Sequence, residues 1–205
     1  MAVADTRIHA DHLSRSRRLA QLEGTRLVLP AQDRVQYPFR PVADGDRIAF
    51  GSTALVAMRT PGHTDESTTY LLDNTAAFTG DTLFLNSVGR PDLEGGTRQE
   101  LASRARLLHM SVSRLLQLPE ATQVFPGHVS EAIPFDGRML GATVGTIRDT
   151  VALARLEEAR FVQAALARIP PSPPNHSRIV EFNERGELPG DPSELEAGAN
   201  RCAIA

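Results

Sequence analysis

Short apolar runs bounded by turn residues recur through the first 130 positions of the chain. Runs of this kind are typical of β-strands. The predicted strands span residues 25–29, 47–50, 54–59, 68–72 and 76–79. Asp44-Gly45-Asp46 and Asp73-Asn74 supply turn chemistry between neighbouring runs. The pattern therefore predicts strands that are mostly linked as hairpins.

Two later stretches have the apolar period of a helix instead. Between residues 97 and 116 the apolar positions step by four and three, as on one face of an amphipathic helix. Residues 157–169 repeat this period, and two prolines then end it. Strands with helices outside them predict an α/β domain over residues 1–185. Residues 186–205 are rich in glycine, proline and acidic residues, which predicts a loosely held C-terminal tail.

The composition limits the classes of function to consider. The 205 residues are 41% hydrophobic and 23% charged, as in an ordinary globular protein, and the net charge of −3 does not favour a nucleic-acid partner. The sequence has neither an N-terminal apolar leader nor an apolar run of membrane-spanning length, so we expect a cytoplasmic protein without membrane association. Cys202 is the single cysteine, which excludes an internal disulfide, and we expect it to be a passive tail residue.

Candidate chemistry is concentrated in four short motifs, each following a predicted strand. They are His9-Ala10-Asp11-His12, Thr60-Pro61-Gly62-His63, Thr79-Gly80-Asp81-Thr82 and Phe125-Pro126-Gly127-His128. Each motif alone is more simply a turn, a cap or a satisfied histidine. Together their imidazoles and carboxylates suit zinc or non-haem iron, held by His9, Asp11, His12, His63, Asp81 and His128. The other two histidines, His109 and His176, are expected to be structural or exposed.

The order and spacing of these motifs resemble those of the metallo-β-lactamase superfamily. Its first motif is His-x-His-x-Asp-His, and its later ligands come from Pro-Gly-His, Gly-Asp and a late Gly-His. The segments that resemble its persulfide dioxygenase and glyoxalase II-like branch are residues 80–84, 88–93, 118–120, 124–128, 173–175, 178–180 and Asn183. The likeness covers roughly residues 2–183.

The resemblance implies an αββα sandwich with two neighbouring metal sites. One site would use positions 7 and 9 with His63 and Asp81, and the other would use Asp11, His12, Asp81 and His128. Asp81 would bridge or hold metal and Asp11 could act as a base for the attacking water, so both are candidate catalytic residues. The implied cofactor is Zn2+ or Fe2+. The implied substrate is a small-molecule thiol conjugate, such as a glutathione persulfide or a thioester.

Arg7 departs from the family pattern. It stands where the resemblance places the first histidine, which the iron enzymes of the branch use as a ligand, and a guanidinium cannot ligate a metal. We therefore expect Arg7 to swing away toward Asp5, or the first site to stay empty. A single ion per chain would then occupy the second site.

The short N-terminus is a second departure, since six residues precede Arg7 whereas family members carry several strands there. We expect a sandwich that lacks the usual N-terminal strands and exposes apolar surface, with a homodimer through the open sheet as one outcome. The competing hypothesis is a non-catalytic or truncated remnant with a degraded metal site. A nucleic-acid-processing member is disfavoured, because only 46 residues lie between Asp81 and His128.

Overall fold

Two β-sheets lie face to face in the computed structural model, which describes residues 1–129, 133, 136–172, 174–197 and 202–204. The smaller sheet has three parallel strands in the order β1 (Ala2–Ala4), β2 (Arg26–Pro30) and β3 (Arg40–Val42). The next seven strands along the chain are β4 (Arg47–Phe50), β5 (Thr53–Arg59), β6 (Thr68–Leu72), β7 (Ala76–Gly80), β8 (Val88–Gly89), β9 (Gln123–Pro126) and β10 (Ala142–Thr143). The larger sheet has the order β10-β9-β7-β6-β5-β4, and β8 pairs instead with β11 (Ala203–Ile204).

The larger sheet is antiparallel from β4 to β7, and β7 then pairs with β9 in parallel. A parallel pair needs a crossover, which here contains the longest helix of the described chain. The carboxyl ends of β7 and β9 consequently meet at one edge of the sheet. All five predicted strands are present, with ends that differ by at most one residue.

Five α-helices and one 3-10 turn accompany the sheets in the described residues. They are α1 (Ser16–Leu22), α2 (Arg98–Leu116), α3 (Val144–Thr150), the 3-10 turn Leu153–Arg155, α4 (Glu158–Ala167) and α5 (His176–Arg185). The prediction over residues 97–116 is confirmed by α2, which begins with a capping box between Thr97 and Glu100. The prediction over residues 157–169 is confirmed by α4, whereas α1, α3 and α5 were not predicted.

The structure has four layers, because successive side chains along a strand point to opposite faces of its sheet. Val28 of β2 faces Ile48, Ala57 and Tyr70 of the larger sheet in one buried cluster. Its neighbour Leu27 faces the other way and packs, with the rest of the outer face, against α1. Helices α2 to α4 cover the far side of the larger sheet through the largest cluster. The observed order of helix, sheet, sheet and helices is the predicted αββα sandwich.

Part of the predicted C-terminal tail is packed. Leu195 joins Leu13 and Ile179 in a small apolar cluster, and Ile204 joins the core around α2. The pairing of β11 with β8 carries Cys202 into the interior. Composition did not reveal these contacts because a few apolar residues make them. The domain boundary at residue 185 stays a prediction, and Pro173, within the segment of resemblance, lies outside the described residues.

Among the described residues, no helix combines the length and the apolarity that crossing a bilayer requires.

Candidate metal centre

The loop that carries the first motif is held by a side chain of α5. Asn183 accepts a hydrogen bond from Ser14 N at 2.8 Å and donates to the carbonyl oxygens of His9 at 2.8 Å and His12 at 2.9 Å. Asn183 is buried, so these three bonds satisfy an amide that would otherwise be costly to bury. The unpredicted helix α5 thus fixes the course of the ligand loop.

His63 is fully buried with one ring nitrogen aimed at the centre of the site. It follows Gly62, whose φ of +130° favours glycine and where a Cβ would lie 2.3 Å from the backbone of α2. The ring Nδ1 lies 2.9 Å from the carbonyl oxygen of Arg90, so Nδ1 carries the proton and Nε2 has a lone pair. Nε2 has no hydrogen-bond partner among the described residues and lies 3.6 Å from Asp81 Oδ2. Burial lowers the pKa of His63 to about 4, so the ring is a neutral imidazole.

Arg90, whose backbone carbonyl accepts the hydrogen bond from His63, has a fully buried side chain. Its guanidinium donates to both carboxylate oxygens of Asp92, at 2.8 and 2.7 Å, and to the carbonyl oxygens of Pro170 and Pro171. Arg90 and Asp92 thus form an ion pair in which the Arg90 side chain is buried. The Arg90 side chain therefore links its own backbone, which orients His63, to the backbone of Pro170 and Pro171 before α5.

Asp81 and His128 meet because they follow the parallel neighbours β7 and β9. Gly127 allows the approach, since a Cβ there would lie 2.5 Å from Asp81 Oδ1. His128 Nδ1 lies 2.8 Å from Asp81 Oδ1, and its Nε2 lies 2.8 Å from Asp11 Oδ2. Asp11 Oδ2 also lies 3.1 Å from Nδ1 of His12. The four residues that the resemblance assigns to the second site form one connected cluster.

The charges of this cluster are strongly coupled. Burial would raise the pKa of both carboxyl groups, but hydrogen bonds from His12 and His128 to Asp11, and the charge of Arg7 beside Asp81, lower each pKa well below its usual range. Burial likewise lowers the pKa of His128, yet the two carboxylates outweigh it and raise this pKa to about 9. Without metal, the cluster at neutral pH holds an imidazolium between two carboxylates. A metal that binds there must therefore displace a proton.

Arg7 places a second cation among the predicted ligands. Its guanidinium forms an ion pair with Asp81 and contacts Nδ1 of His9, and one nitrogen lies 3.4 Å from Asp11 Oδ1. The Arg7 side chain is 1% exposed, so the charge is fully inside the protein. The guanidinium thus takes part of the space that the resemblance gives to the first metal ion.

The expected movement of Arg7 toward Asp5 is wrong. The Asp5 carboxylate instead accepts hydrogen bonds from the hydroxyl groups of Ser14 and Ser16, at 2.6 and 2.5 Å. Asp81 attracts Arg7 more strongly because a buried carboxylate is little screened by water and needs a partner charge.

The two implied metal sites fit these residues unequally. At the first site, a guanidinium fixed between Asp81 and His9 would face the ion, and two unit charges about 4 Å apart repel by about 4 kcal/mol at an effective dielectric constant of 20, which doubles for a divalent ion. The first site therefore does not fit a metal. The second site offers a carboxylate of Asp11 and imidazoles of His12 and His128, a donor set that zinc and iron accept. His9 lies beside it, since ligand atoms of His9, Asp11 and His12 are within 4.8 Å of one another.

Cys202 also lies at the centre of the site, which its position near the end of the chain did not indicate. Its sulfur lies within 4.8 Å of ligand atoms of Asp11 and His128. A second group at the same spacing joins Cys202 with His63 and Asp81. No local pattern links residue 202 to motifs before residue 130, because the pairing of β11 with β8 creates the proximity.

The two remaining histidines lie outside these ligand groups. His109 Nε2 lies 2.9 Å from the carbonyl oxygen of Leu156, and its ring packs 5.1 Å from that of Phe161. His176 is the first residue of α5. The structural role predicted for His109 is confirmed by these contacts.

Comparison with known proteins relates the chain to one family. The model of the metallo-beta-lactamase superfamily matches residues 5–128. Human mitochondrial persulfide dioxygenase ETHE1 is 35% identical over 127 residues, covering 60% of this chain and 47% of the relative. The chain spans about half the length of the curated relatives it matches.

Solved structures agree with that family. A metallo-beta-lactamase from Staphylococcus aureus superposes with a TM-score of 0.80 at 26% identity, over 91% of this chain and 59% of that one. ETHE1 from Myxococcus xanthus superposes with a TM-score of 0.75 at 28% identity, over 90% of this chain and 76% of that one.

Proposed function

Because this chain belongs to the metallo-beta-lactamase superfamily, we propose that it is a hydrolase with a single metal ion that cleaves the thioester of a small thiol conjugate. The ion pair between Arg7 and Asp81 carries this proposal. It neutralises the carboxylate of the first site and leaves Asp11, His12 and His128 to hold the ion. The resemblance implies that sulfur dioxygenation needs the ligands of the first site. Arg7 replaces one of these ligands and pairs with another, so thioester hydrolysis at the second site is the better supported reaction.

The roles of the protein groups follow from their contacts. A divalent ion bound at the second site would polarise the substrate carbonyl and lower the pKa of a water molecule to about 7. Asp81 accepts from Nδ1–H of His128 and so presents Nε2 of that ring toward Asp11. Asp11 would accept the proton of the attacking water through Oδ1, which a guanidinium nitrogen of Arg7 approaches to 3.4 Å. Arg7 keeps Asp81 ionised and oriented.

The proposed substrate class is a glutathione thioester or a related thiol conjugate. It is supported by the family resemblance and by the 35% identity to a persulfide dioxygenase. Zinc or iron as the ion, the thiol-conjugate partner, the cytoplasmic location and the homodimer stay predictions.

A second candidate is a non-catalytic remnant of the same fold. The observation that favours it is the contact of Arg7 with both Asp81 and Asp11, since one buried cation then offsets part of the charge that a metal needs. The two candidates differ in metal content, because the remnant would bind no transition metal tightly at this cluster.

Elemental analysis combined with a thioesterase assay tests the proposal. The full chain, loaded with zinc or iron, should hold at most about one ion and hydrolyse an acyl-glutathione thioester, and chelation should abolish turnover. Asp11→Asn should lower kcat/KM at least about 100-fold, the loss typical of a missing acid–base group. Asp44→Asn, which changes an exposed carboxylate paired with Arg114, is the matched control and should change little.

Three results would contradict the proposal. A chain that binds no metal would support the remnant. A metal-loaded chain without thioesterase activity would remove the hydrolase assignment. Robust oxygen consumption with glutathione persulfide would favour sulfur dioxygenation.

A further inference from the structure

We propose that Cys202 is a ligand of the metal in this centre, and that with Asp11 and His128 it forms a mixed carboxylate, imidazole and thiolate site. The proposal rests on the single-ion centre proposed above. It adds a ligand that the motif pattern does not contain.

The geometry of three separate segments carries this assignment. Asp11 comes from the first motif loop, His128 from the loop after β9 and Cys202 from the residue before β11, and their ligand atoms lie within 4.8 Å of one another. Cys202 is 1% exposed, so its thiol faces the interior of the centre rather than solvent. Carboxylate, imidazole and thiolate together are ligands that zinc accepts in a tetrahedral set.

The state of Asp81 explains why a further donor is needed. The resemblance makes Asp81 the fourth ligand of the second site. Here one oxygen of Asp81 pairs with Arg7, and the other lies 2.8 Å from His128 Nδ1. An ion held by Asp11, His12 and His128 would therefore lack the fourth protein ligand that the resemblance assigns to this site. The sulfur of Cys202, which lies within 4.8 Å of a ligand oxygen of Asp81, is placed to supply it.

An unpartnered buried nitrogen beside the thiol also points to a cation. His63 Nε2 has no hydrogen-bond partner among the described residues, and its ring is 0% exposed. It belongs to the group of ligand atoms that includes Cys202 and Asp81. A histidine that donates Nδ1–H to a carbonyl and keeps Nε2 free is typical of metal ligands. The Cys202 sulfur thus lies near the lone pair of His63 Nε2, for which the described residues offer no hydrogen-bond donor.

The charges of the proposed site balance. A guanidinium nitrogen of Arg7 lies 3.9 Å from the Cys202 sulfur, so a cation already faces the thiol. On coordination the S–H proton passes to solvent and the sulfur binds as a thiolate, with no change in oxidation state. The thiolate and the Asp11 carboxylate then match the two charges of the ion, while Arg7 remains paired with Asp81.

Cobalt substitution tests the assignment without reference to turnover. The full chain is stripped of metal, reduced and titrated with Co2+ at neutral pH. Stoichiometric binding should produce an intense sulfur-to-cobalt charge-transfer band in the near ultraviolet. Because Cys202 is the single cysteine, such a band from the monomeric protein can come from no other thiolate. X-ray absorption of the zinc form should contain one sulfur neighbour at about 2.3 Å.

Cys202→Ser is the matched variant, since a hydroxyl of similar size replaces the thiol. It should lose the charge-transfer band and bind cobalt at least about tenfold more weakly, the loss that even outer-shell changes produce at metal sites. The zinc form of the wild-type chain gives a readout that does not depend on the folding of this variant.

The outcomes separate this proposal from the proposed function. Cobalt bound at about one per chain without the charge-transfer band, or zinc with nitrogen and oxygen neighbours alone, would overturn the role of Cys202 and leave the hydrolase intact. Absence of any tight cobalt or zinc binding would overturn both. An unchanged band in Cys202→Ser would also overturn the assignment.

Discussion

The guanidinium of Arg7 pairs with the carboxylate of Asp81 at the centre of the site, where the two side chains are 1% and 0% exposed. The same guanidinium lies 3.4 Å from Asp11, so one side chain contacts carboxylates of both implied metal sites. The positive charge of Arg7 thus neutralises part of the negative charge of Asp81 and Asp11, which a bound metal ion would otherwise neutralise. The effect of Arg7 on protein stability and its effect on metal binding can be measured separately.

Removal of Arg7 should destabilise the metal-free protein strongly. Arg7→Met leaves the buried Asp81 carboxylate with its hydrogen bond from His128 but without its guanidinium partner, and breaking a buried pair in this way costs about 3–5 kcal/mol in the free energy of unfolding. Chemical denaturation in the presence of a chelator measures the change. Arg114→Met breaks the exposed pair with Asp44, whose side chains are both 46% exposed, and should cost at most about 1 kcal/mol. Equal losses in the two variants would contradict the argument from burial.

Arg7→His should restore the first metal site. The substitution removes the positive charge and adds an imidazole near His9, His63 and Asp81, so metal content should rise from about one to about two ions per chain, with donors that suit zinc or iron. Elemental analysis of the purified variant measures this change. Arg7→Gln removes the charge without adding a ligand and should raise the content less. Unchanged metal content in a folded Arg7→His protein would show that Arg7 does not block the site.

Loss of the Asn183 amide should loosen the ligand loop. Asn183→Ala leaves the Ser14 N–H and the carbonyl oxygens of His9 and His12 without their partner, and each buried group left unsatisfied costs about 1–3 kcal/mol. We expect a loss of at least about 2 kcal/mol in stability and at least about tenfold weaker zinc binding. Ser103→Ala removes an exposed hydrogen bond on α2 and serves as the control. Normal zinc affinity in Asn183→Ala would exclude the positioning role.

The metal-free protein should lose stability as the pH rises through about 9. The pKa of His128 is about 9 in the folded protein, because the carboxylates of Asp11 and Asp81 outweigh burial, against about 6.5 when unfolded. A raised folded pKa gives stabilisation that is complete below pH 6.5 and disappears as the pH passes 9. Between pH 7 and pH 9.5 the unfolding free energy should fall by about 1–3 kcal/mol. His128→Gln should lack this slope, and the same slope in both proteins would assign it to another group.

The sequence alone determined the elements whose signals are local. The spacing of apolar residues and the presence of turn residues are properties of short stretches of sequence. Strands such as β4 (Arg47–Phe50) and the helix α2 therefore follow from the pattern. The same holds for His63 and Asp81, which follow predicted strands, because a residue just after a strand lies at the end of that strand whatever the rest of the chain does.

Tertiary structure alone decided the direction of Arg7 and the role of distant residues. The sequence offers Arg7 several acidic partners, and the choice of Asp81 over Asp5 depends on which carboxylate is buried in the assembled core. Asn183 and Cys202 reach the first motif across about 170 and 195 positions of the chain. Contacts at that separation arise from the packing of α5 and from the pairing of β11 with β8, which no local period encodes.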